Sequence, residues 1–196
     1  MQTRIDIEDS TLWNSLRLGD ETAFEELYRR YFQVLFSYGK RLLHDEDLIK
    51  DAIQDLFVDI WRTHANLNQA QSVKFYLISS LRRKIKRSLQ PDYHLGDDWE
   101  NVNELLLPIH PSVEIDFTKV EEEYLTKEKV SSWLSQLPTR QNEALVLRYF
   151  HNFEYAEIAQ ILDIKEQTAR NLVQKAIILL RKIAISLLII GLSIIL

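Results

Sequence analysis

The chain has 196 residues, 46% of them apolar, with four Gly, four Pro and no Cys. That length allows one large or two small domains with an ample core, and the scarcity of Gly and Pro favours helices. Without Cys there is no disulfide framework, thiolate metal site or Cys nucleophile. The formal net charge of -5 is unevenly spread: residues 1–90 carry 14 Lys and Arg against 13 Asp and Glu, residues 91–123 carry 1 against 10, and residues 124–196 carry 9 against 6. Because such fields are screened within about 8 Å at physiological salt, overall acidity does not exclude a polyanionic partner. The N-terminus has no apolar core behind a basic start, so no export signal and a cytoplasmic location are expected.

In chain order, Leu12 to Leu18 reads as a short helix, with Gly19-Asp20 as its stop. Phe24, Leu27, Tyr31, Leu35, Tyr38 and Leu42 then recur at spacings of three and four, the core stripe of a helix of about five turns. In the next helix Asp47, Asp51, Asp55 and Asp59 stand four apart and line one face, while Ile49, Ile53, Leu56 and Ile60 occupy another. Like charges at that spacing destabilise a helix, and its dipole relieves only those in the first turn. The stripe is either a solvated acidic face or a surface for a cationic partner. After Trp61 an amide-rich loop, HANLNQAQS, leads into VKFYLISSLRRKIKRSL. There Phe75, Ile78, Leu81 or Arg82, and Ile85 form the buried side. Arg82, Arg83, Lys84, Lys86 and Arg87 place five cations within six residues, with Trp61, Phe75 and Tyr76 upstream. Cations beside rings suit an unpaired nucleic-acid strand, although a basic helix end is also favoured by the dipole alone.

Residues 91–119 carry Pro91, Pro108 and Pro111, scattered acids and no helical period, and read as a linker. Helix signals return around Val120, with Tyr124, Val130, Trp133, Leu134 and Leu137 on one face. Leu137-Pro138 ends that helix and Thr139 is the expected N-cap of the next. From there to Lys182 the pattern is helix, short helix, three-residue turn and longer helix, as in a helix-turn-helix DNA reader. Ala144, Leu147 and Phe150 face inward on the first, and Ile158, Ile161 and Leu162 on the second. Small Ala156 and Ala159 allow close crossing. Asp163-Ile164-Lys165 is the turn, and Ala169, Leu172, Val173, Ala176, Leu179 and Leu180 are the core side of the last helix. Gln167, Thr168, Arg170, Asn171, Gln174 and Lys175 remain outside, and such side chains pair with base edges and phosphates. A three-helix scaffold with a solvated polar face has the same pattern.

Taken together, the chain resembles the RNA polymerase sigma factors of the extracytoplasmic-function (ECF) subgroup of the sigma-70 family. Sigma domain 2 is matched by GDETAFEELYRRYFQVLFSYGKRLL and DAIQDLFVDIW, and sigma domain 4 by the run from LPTRQNEALVLRYF to LVQKAIILLRK. The resemblance implies an all-α chain of two small helical domains: 1–90 as domain 2, 91–119 as an acidic linker, 120–182 as domain 4, and 183–196 as an apolar tail. It further implies that Asp51, Gln54, Asp55 and Phe57 or Trp61 contact core polymerase. Asn66, Asn68, Gln69, Phe75, Tyr76, Arg82, Arg83, Lys86 and Arg87 are then the −10 and single-strand set. Gln167, Thr168, Arg170, Asn171, Gln174 and Lys175 are the −35 set. Core polymerase and promoter DNA are the implied partners, an anti-sigma protein is a further one, and no cofactor, metal or catalytic residue is expected. The sequence departs from the family at Asp163, where Gly is usual, at Lys165, where Ser or Thr is usual, and at Arg83 and Arg87, where Asn and Asp are frequent. The other reading of the same residues is a helix-turn-helix regulator that binds duplex DNA without polymerase. No Gly-rich phosphate loop or paired His at metal spacing points to an enzyme.

The tail after Lys182 is fourteen residues without a charge. A helix of that length spans about 21 Å, short of a roughly 30 Å hydrocarbon core. It is therefore expected to dock on the protein or a partner, with weak, shallow membrane association as the second reading and assembly as the third.

Overall fold

The structure is a computed structural model that describes residues 8–89, 133–134 and 136–195, with side chains as far as residue 185. The chain divides into two compact units, Met1–Gly96 and Asp97–Leu196. Among the described residues there are seven α-helices and no strand. The expected linker 91–119 and the helix signals from 120 to 132 lie outside the described residues.

In the first unit, α1 (Asp9–Arg17), α2 (Glu21–Gly39), α3 (Glu46–Arg62) and α4 (Val73–Leu89) surround one core, with a single 3-10 turn, His64–Asn66, between α3 and α4. Trp13, Leu27, Leu35, Tyr38, Ile49, Ile53, Ile60, Leu77, Ile78 and Ile85 are all but completely buried there. The helices start where short polar side chains can bond the unpaired N–H groups of a first turn. The Asp20 carboxylate accepts from the N–H groups of Thr22 (2.8 Å) and Ala23 (3.2 Å), so this residue begins α2 rather than only ending α1. Asp45 does the same for α3, accepting from Asp47 and Leu48, and the Ser72 hydroxyl accepts from Phe75 N–H at the start of α4. Gly19, at φ +88°, supplies the left-handed turn between α1 and α2.

In the second unit, α5 (Thr139–Tyr149) and α6 (Tyr155–Leu162) both pack on α7 (Glu166–Ile195). Asp163 caps α6 at φ 57° and ψ 54°, the left-handed conformation for which Gly is the usual solution and which Asp adopts at modest cost. The expected turn is thus present. Three local expectations change. Pro138, not Thr139, occupies the cap of α5, its carbonyl accepting from Gln141 and Asn142 N–H. Phe150 is half exposed because α5 ends at Tyr149, and Phe153 is buried in its stead after a left-handed turn at Asn152. Ala159 is buried at the crossing, whereas Ala156 is exposed. The tail is not a separate element, since α7 runs unbroken from Glu166 to Ile195. Its side chains beyond 185, on which docking or membrane association would rest, lie outside the described residues.

A Cβ on Gly39 would stand 2.5 Å from Ile49 Cγ2, where α2 and α3 meet. Gly39→Ala is therefore expected to lower stability by about 1–3 kcal/mol in denaturant unfolding, despite the better helix propensity of Ala. Separately, the Thr22 hydroxyl and the Ala23 N–H hold the Asp20 carboxyl below its ordinary 3.8. A carboxylate with a depressed folded-state pKa stabilises at pH values above 3.8, and that stabilisation is lost as pH falls through the lowered folded value. Asp20→Asn keeps a capping oxygen that does not titrate, so unfolding midpoints below pH 4 should fall less steeply than in the wild type.

Candidate nucleic-acid interface

Three surfaces carry the residues singled out in the sequence. The first is the outer face of α3. Its inner face buries Ile49, Ile53, Leu56, Phe57 and Ile60. Outward, at spacings of three and four, stand Leu48, Asp51, Asp55 and Val58, with Gln54 beside them, all exposed. The acidic stripe is neutralised at both ends: Lys50 Nζ lies 3.2 Å from Asp47, and Asp59 is bridged by Lys84 at 2.6 Å and Arg62 at 2.9 Å. The hydrogen bond from Lys84 is the main reason that the Asp59 carboxyl titrates below its ordinary value. Asp51 and Asp55, in the middle, have no cation partner among the described residues.

Phe57 corrects the sequence expectation. It is 2% exposed and packs edge-on against Phe24 (5.9 Å between centroids) and Tyr28 (4.9 Å), so it cannot meet a partner surface. The apolar part of this face is Leu48 and Val58, 44% and 61% exposed. They were legible as apolar residues off the buried stripe. Trp61 is half-buried, its ring 5.1 Å from Phe24 and stacked on His64 at 5.2 Å.

The second surface is the loop after α3 with α4 behind it. Asn66, Asn68 and Gln69 are exposed, while the backbone beneath them is held from α1. Trp13 Nε1 donates to the Asn68 carbonyl at 3.0 Å, and Arg17 Nε donates to the Leu67 carbonyl at 2.7 Å. Neither was anticipated, since a bond across fifty residues leaves no local pattern. The Trp13 ring lies 4.9 Å from Tyr76, which joins the loop to α4. Beside the loop a cleft of about 250 Å³ is lined by Asp9, Tyr31, Gln71, Ser72 and Lys74. The Asp9 carboxylate accepts from Tyr31 OH and from Arg30, and burial lowers the Lys74 ammonium from its ordinary value.

The basic run of α4 is not one patch. Arg82 is 8% exposed and engaged within the fold, because the buried face takes Ile78, Leu81, Arg82 and Ile85 together. As a phosphate contact it is therefore corrected. Lys84 is spent on Asp59, and Lys86 is half-buried with a partner of its own. Arg83 and Arg87 are exposed, and Arg83 Nη2 donates to the Ser80 hydroxyl at 3.0 Å. Tyr76, Ser80, Arg83 and Arg87 follow one another at spacings of four, three and four, a single line along α4. Phe75 is half-buried and engaged.

The third surface is the first half of α7. All six predicted readers, Gln167, Thr168, Arg170, Asn171, Gln174 and Lys175, are exposed, and Ala169, Val173 and Ala176 beneath them are buried. Gln167 Nε2 donates to Asn171 Oδ1 at 3.1 Å, and Arg170 pairs with Glu166.

Comparison with known proteins accounts for both units at once. The sequence model of sigma-70 region 2 matches residues 27–91, and that of sigma-70 region 4 matches residues 127–180. Together they take in more than half of the chain. The chain belongs to the sigma-70 family, in its ECF group. Among curated relatives, the RNA polymerase sigma factor YlaC of Bacillus subtilis is 27% identical over 148 residues, covering 71% of this chain and 79% of the relative. The ECF RNA polymerase sigma factor SigM of the same organism is 25% identical over 160 residues, covering 78% and 89%. Among solved structures, CnrH in complex with the cytosolic domain of CnrY matches with a TM-score of 0.59 at 18% identity, over 91% of this chain and 97% of that one. The sigma factor RpoE of Bartonella quintana, in complex with the anti-sigma factor NepR, matches at 0.58 and 17%, over 81% and 94%. These two likenesses bear on the fold, which in this sigma-70 chain carries regions 2 and 4 on separate compact units.

The pinning of the loop has a direct test. Arg17→Met removes the bond to the Leu67 carbonyl while keeping an apolar stem on α1. Amide hydrogen exchange in residues 66–71 should speed up by about tenfold with the core of α3 and α4 unchanged.

Proposed function

We propose that this sigma-70 factor divides promoter use among the three surfaces. The outer face of α3 docks on core RNA polymerase, the loop 64–72 with Tyr76, Arg83 and Arg87 of α4 holds the opened −10 strand, and the first half of α7 reads the −35 duplex. The observation that carries the reading is the unpaired acidic pair Asp51 and Asp55 between exposed Leu48 and Val58. Two carboxylates without a cation partner among the described residues, beside apolar side chains in water, suit a partner that is cationic and apolar in the same places.

The −10 assignment rests on chemistry and on the pinned loop. Exposed amides at Asn66, Asn68 and Gln69 offer both donors and acceptors to base edges, on a backbone already fixed by Trp13 and Arg17. Extruding a base costs a few kcal/mol, and a loop ordered in advance leaves more of the contact energy for that step. Tyr76, against the Trp13 ring that bonds the loop, offers an aromatic face, and Arg83 and Arg87 supply phosphate contacts along α4. On α7, Gln167, Arg170, Asn171 and Gln174 suit base edges, and Thr168 and Lys175 suit the backbone. The factor positions DNA and polymerase and makes or breaks no bond, so its action is binding energy directed at strand opening in the cytoplasm. An anti-sigma protein is a fitting regulator, since two chains of similar fold were solved in complexes and one of the partners is an anti-sigma factor. Among the described residues no helix is long and apolar enough to cross a membrane.

The test is charge reversal on α3. Asp51→Lys with Asp55→Lys should weaken association with core polymerase by about a hundredfold. Thermal unfolding should be nearly unchanged, because both side chains are exposed and pair with no cation among the described residues. Wild-type affinity for core polymerase in the double variant would refute the docking face.

A further inference from the structure

Tyr155 opens α6 and meets arginines from both other described helices of the second unit. The guanidinium carbon of Arg148, from the last turn of α5, lies 4.8 Å from the Tyr155 ring centroid, and that of Arg170, from α7, lies 4.5 Å from it. The two arginines are otherwise placed differently. Arg148 Nη1 donates to the Phe153 carbonyl at 2.8 Å and pairs with Glu154 at 3.1 Å, which ties that guanidinium to the fold. Arg170 has a half-exposed side chain, and Glu166 is the acceptor it meets. Stacking on a ring uses the flat face of a guanidinium and leaves the N–H edge, which lies in the plane, free to meet an acceptor.

We infer that Tyr155 is a positioning residue for DNA readout, whose ring holds Arg170 so that the guanidinium edge faces a two-pronged acceptor on the duplex. Glu166 occupies that edge until the duplex arrives, and the exchange of one acceptor for another leaves the guanidinium in place over the ring. A long side chain otherwise gives up its rotamer freedom when it binds, and here the ring has removed that freedom beforehand. The inference rests on the reading of α7 as the −35 reader and adds a residue outside its outer face. The acceptor that fits is either the O6 and N7 edge of a guanine or a backbone phosphate, both of which take a guanidinium with two parallel hydrogen bonds.

The experiment uses the full chain assembled with core polymerase and a promoter library randomised in the upstream block, with binding followed as salt is raised. Tyr155→Leu removes the ring and Tyr155→Phe restores it. With guanine as the acceptor, Tyr155→Leu lowers discrimination at one base pair by about tenfold and leaves the salt slope alone. With phosphate as the acceptor, it weakens all sequences alike and the slope of log K against log salt falls by about 0.9. Either result supports the assignment provided that Tyr155→Phe behaves as the wild type. Wild-type discrimination and slope in Tyr155→Leu overturn it, as does a Tyr155→Phe variant that loses as much as Tyr155→Leu. Should Tyr155→Leu fail to fold, the exposed Arg170→Lys decides: it keeps the charge without the flat fork, so it should lose the discrimination if guanine is the acceptor and weaken all sequences alike at an unchanged slope if phosphate is, and full retention of both affinity and discrimination overturns the inference. A wild-type complex with no upstream sequence preference overturns the −35 reading itself, whereas a selective wild type with an indifferent Tyr155→Leu overturns the role of Tyr155 alone.

Discussion

The indole of Trp13 is the point on which the first unit depends. It is 1% exposed, its ring lies against Tyr76 of α4, and its N–H is bonded to the Asn68 carbonyl. A single buried side chain thus ties the first helix, the amide loop and the helix behind that loop. A loop of this composition would otherwise be free to sample many backbone states, each costing free energy to order. With Arg17 holding the neighbouring carbonyl, the ordering is done within the fold, and the amide side chains are left outward.

The second constraint is electrostatic and concerns which charges the fold uses for itself. Lys84 and Arg62 are committed to Asp59, which joins α3 to α4. Lys50 meets Asp47, and Arg82 is drawn into the core. On these two helices the exposed charges without an ion pair among the described residues are segregated: Asp51 and Asp55 on α3, Arg83 and Arg87 on α4. A partner that is cationic and one that is anionic can therefore be held by adjacent helices of one small unit without competing for the same surface. Exposed ion pairs of the kind seen at the ends of the acidic stripe add little to stability. Their consequence here is to leave the middle of the stripe as its unneutralised part.

Much of this was legible from residue order. A period of 3.6 assigns faces reliably when a helix is long and its core stripe is regular, and all six readers on α7 are exposed as that rule predicts. It is weaker where the buried arc is wide. In α3 the neighbours Leu56 and Phe57 both turn inward, and in α4 so do Leu81 and Arg82, since an apolar face wider than about 100° takes adjacent residues. Phe57 had the chemistry of a contact and Arg82 the charge of one, and packing decided against both. Helix ends were the other source of error: Phe150 would have pointed inward had α5 continued by one turn. The bonds from Trp13 and Arg17 to the loop, and the ring of Tyr155 between two arginines, join residues remote in sequence or remote in face. No local spacing encodes them.

The central claim is that distinct outward faces of two helical units meet polymerase and promoter in turn. Hydroxyl-radical footprinting of the full chain, alone, with core polymerase, and then with promoter DNA, tests this most directly. The account predicts that Leu48 and Val58 become protected on adding polymerase and that Phe57 does not change. It also predicts that residues 66–69 and 167–175 gain protection only when DNA follows. Unchanged reactivity at Leu48 and Val58 in a chain that has bound polymerase would contradict it.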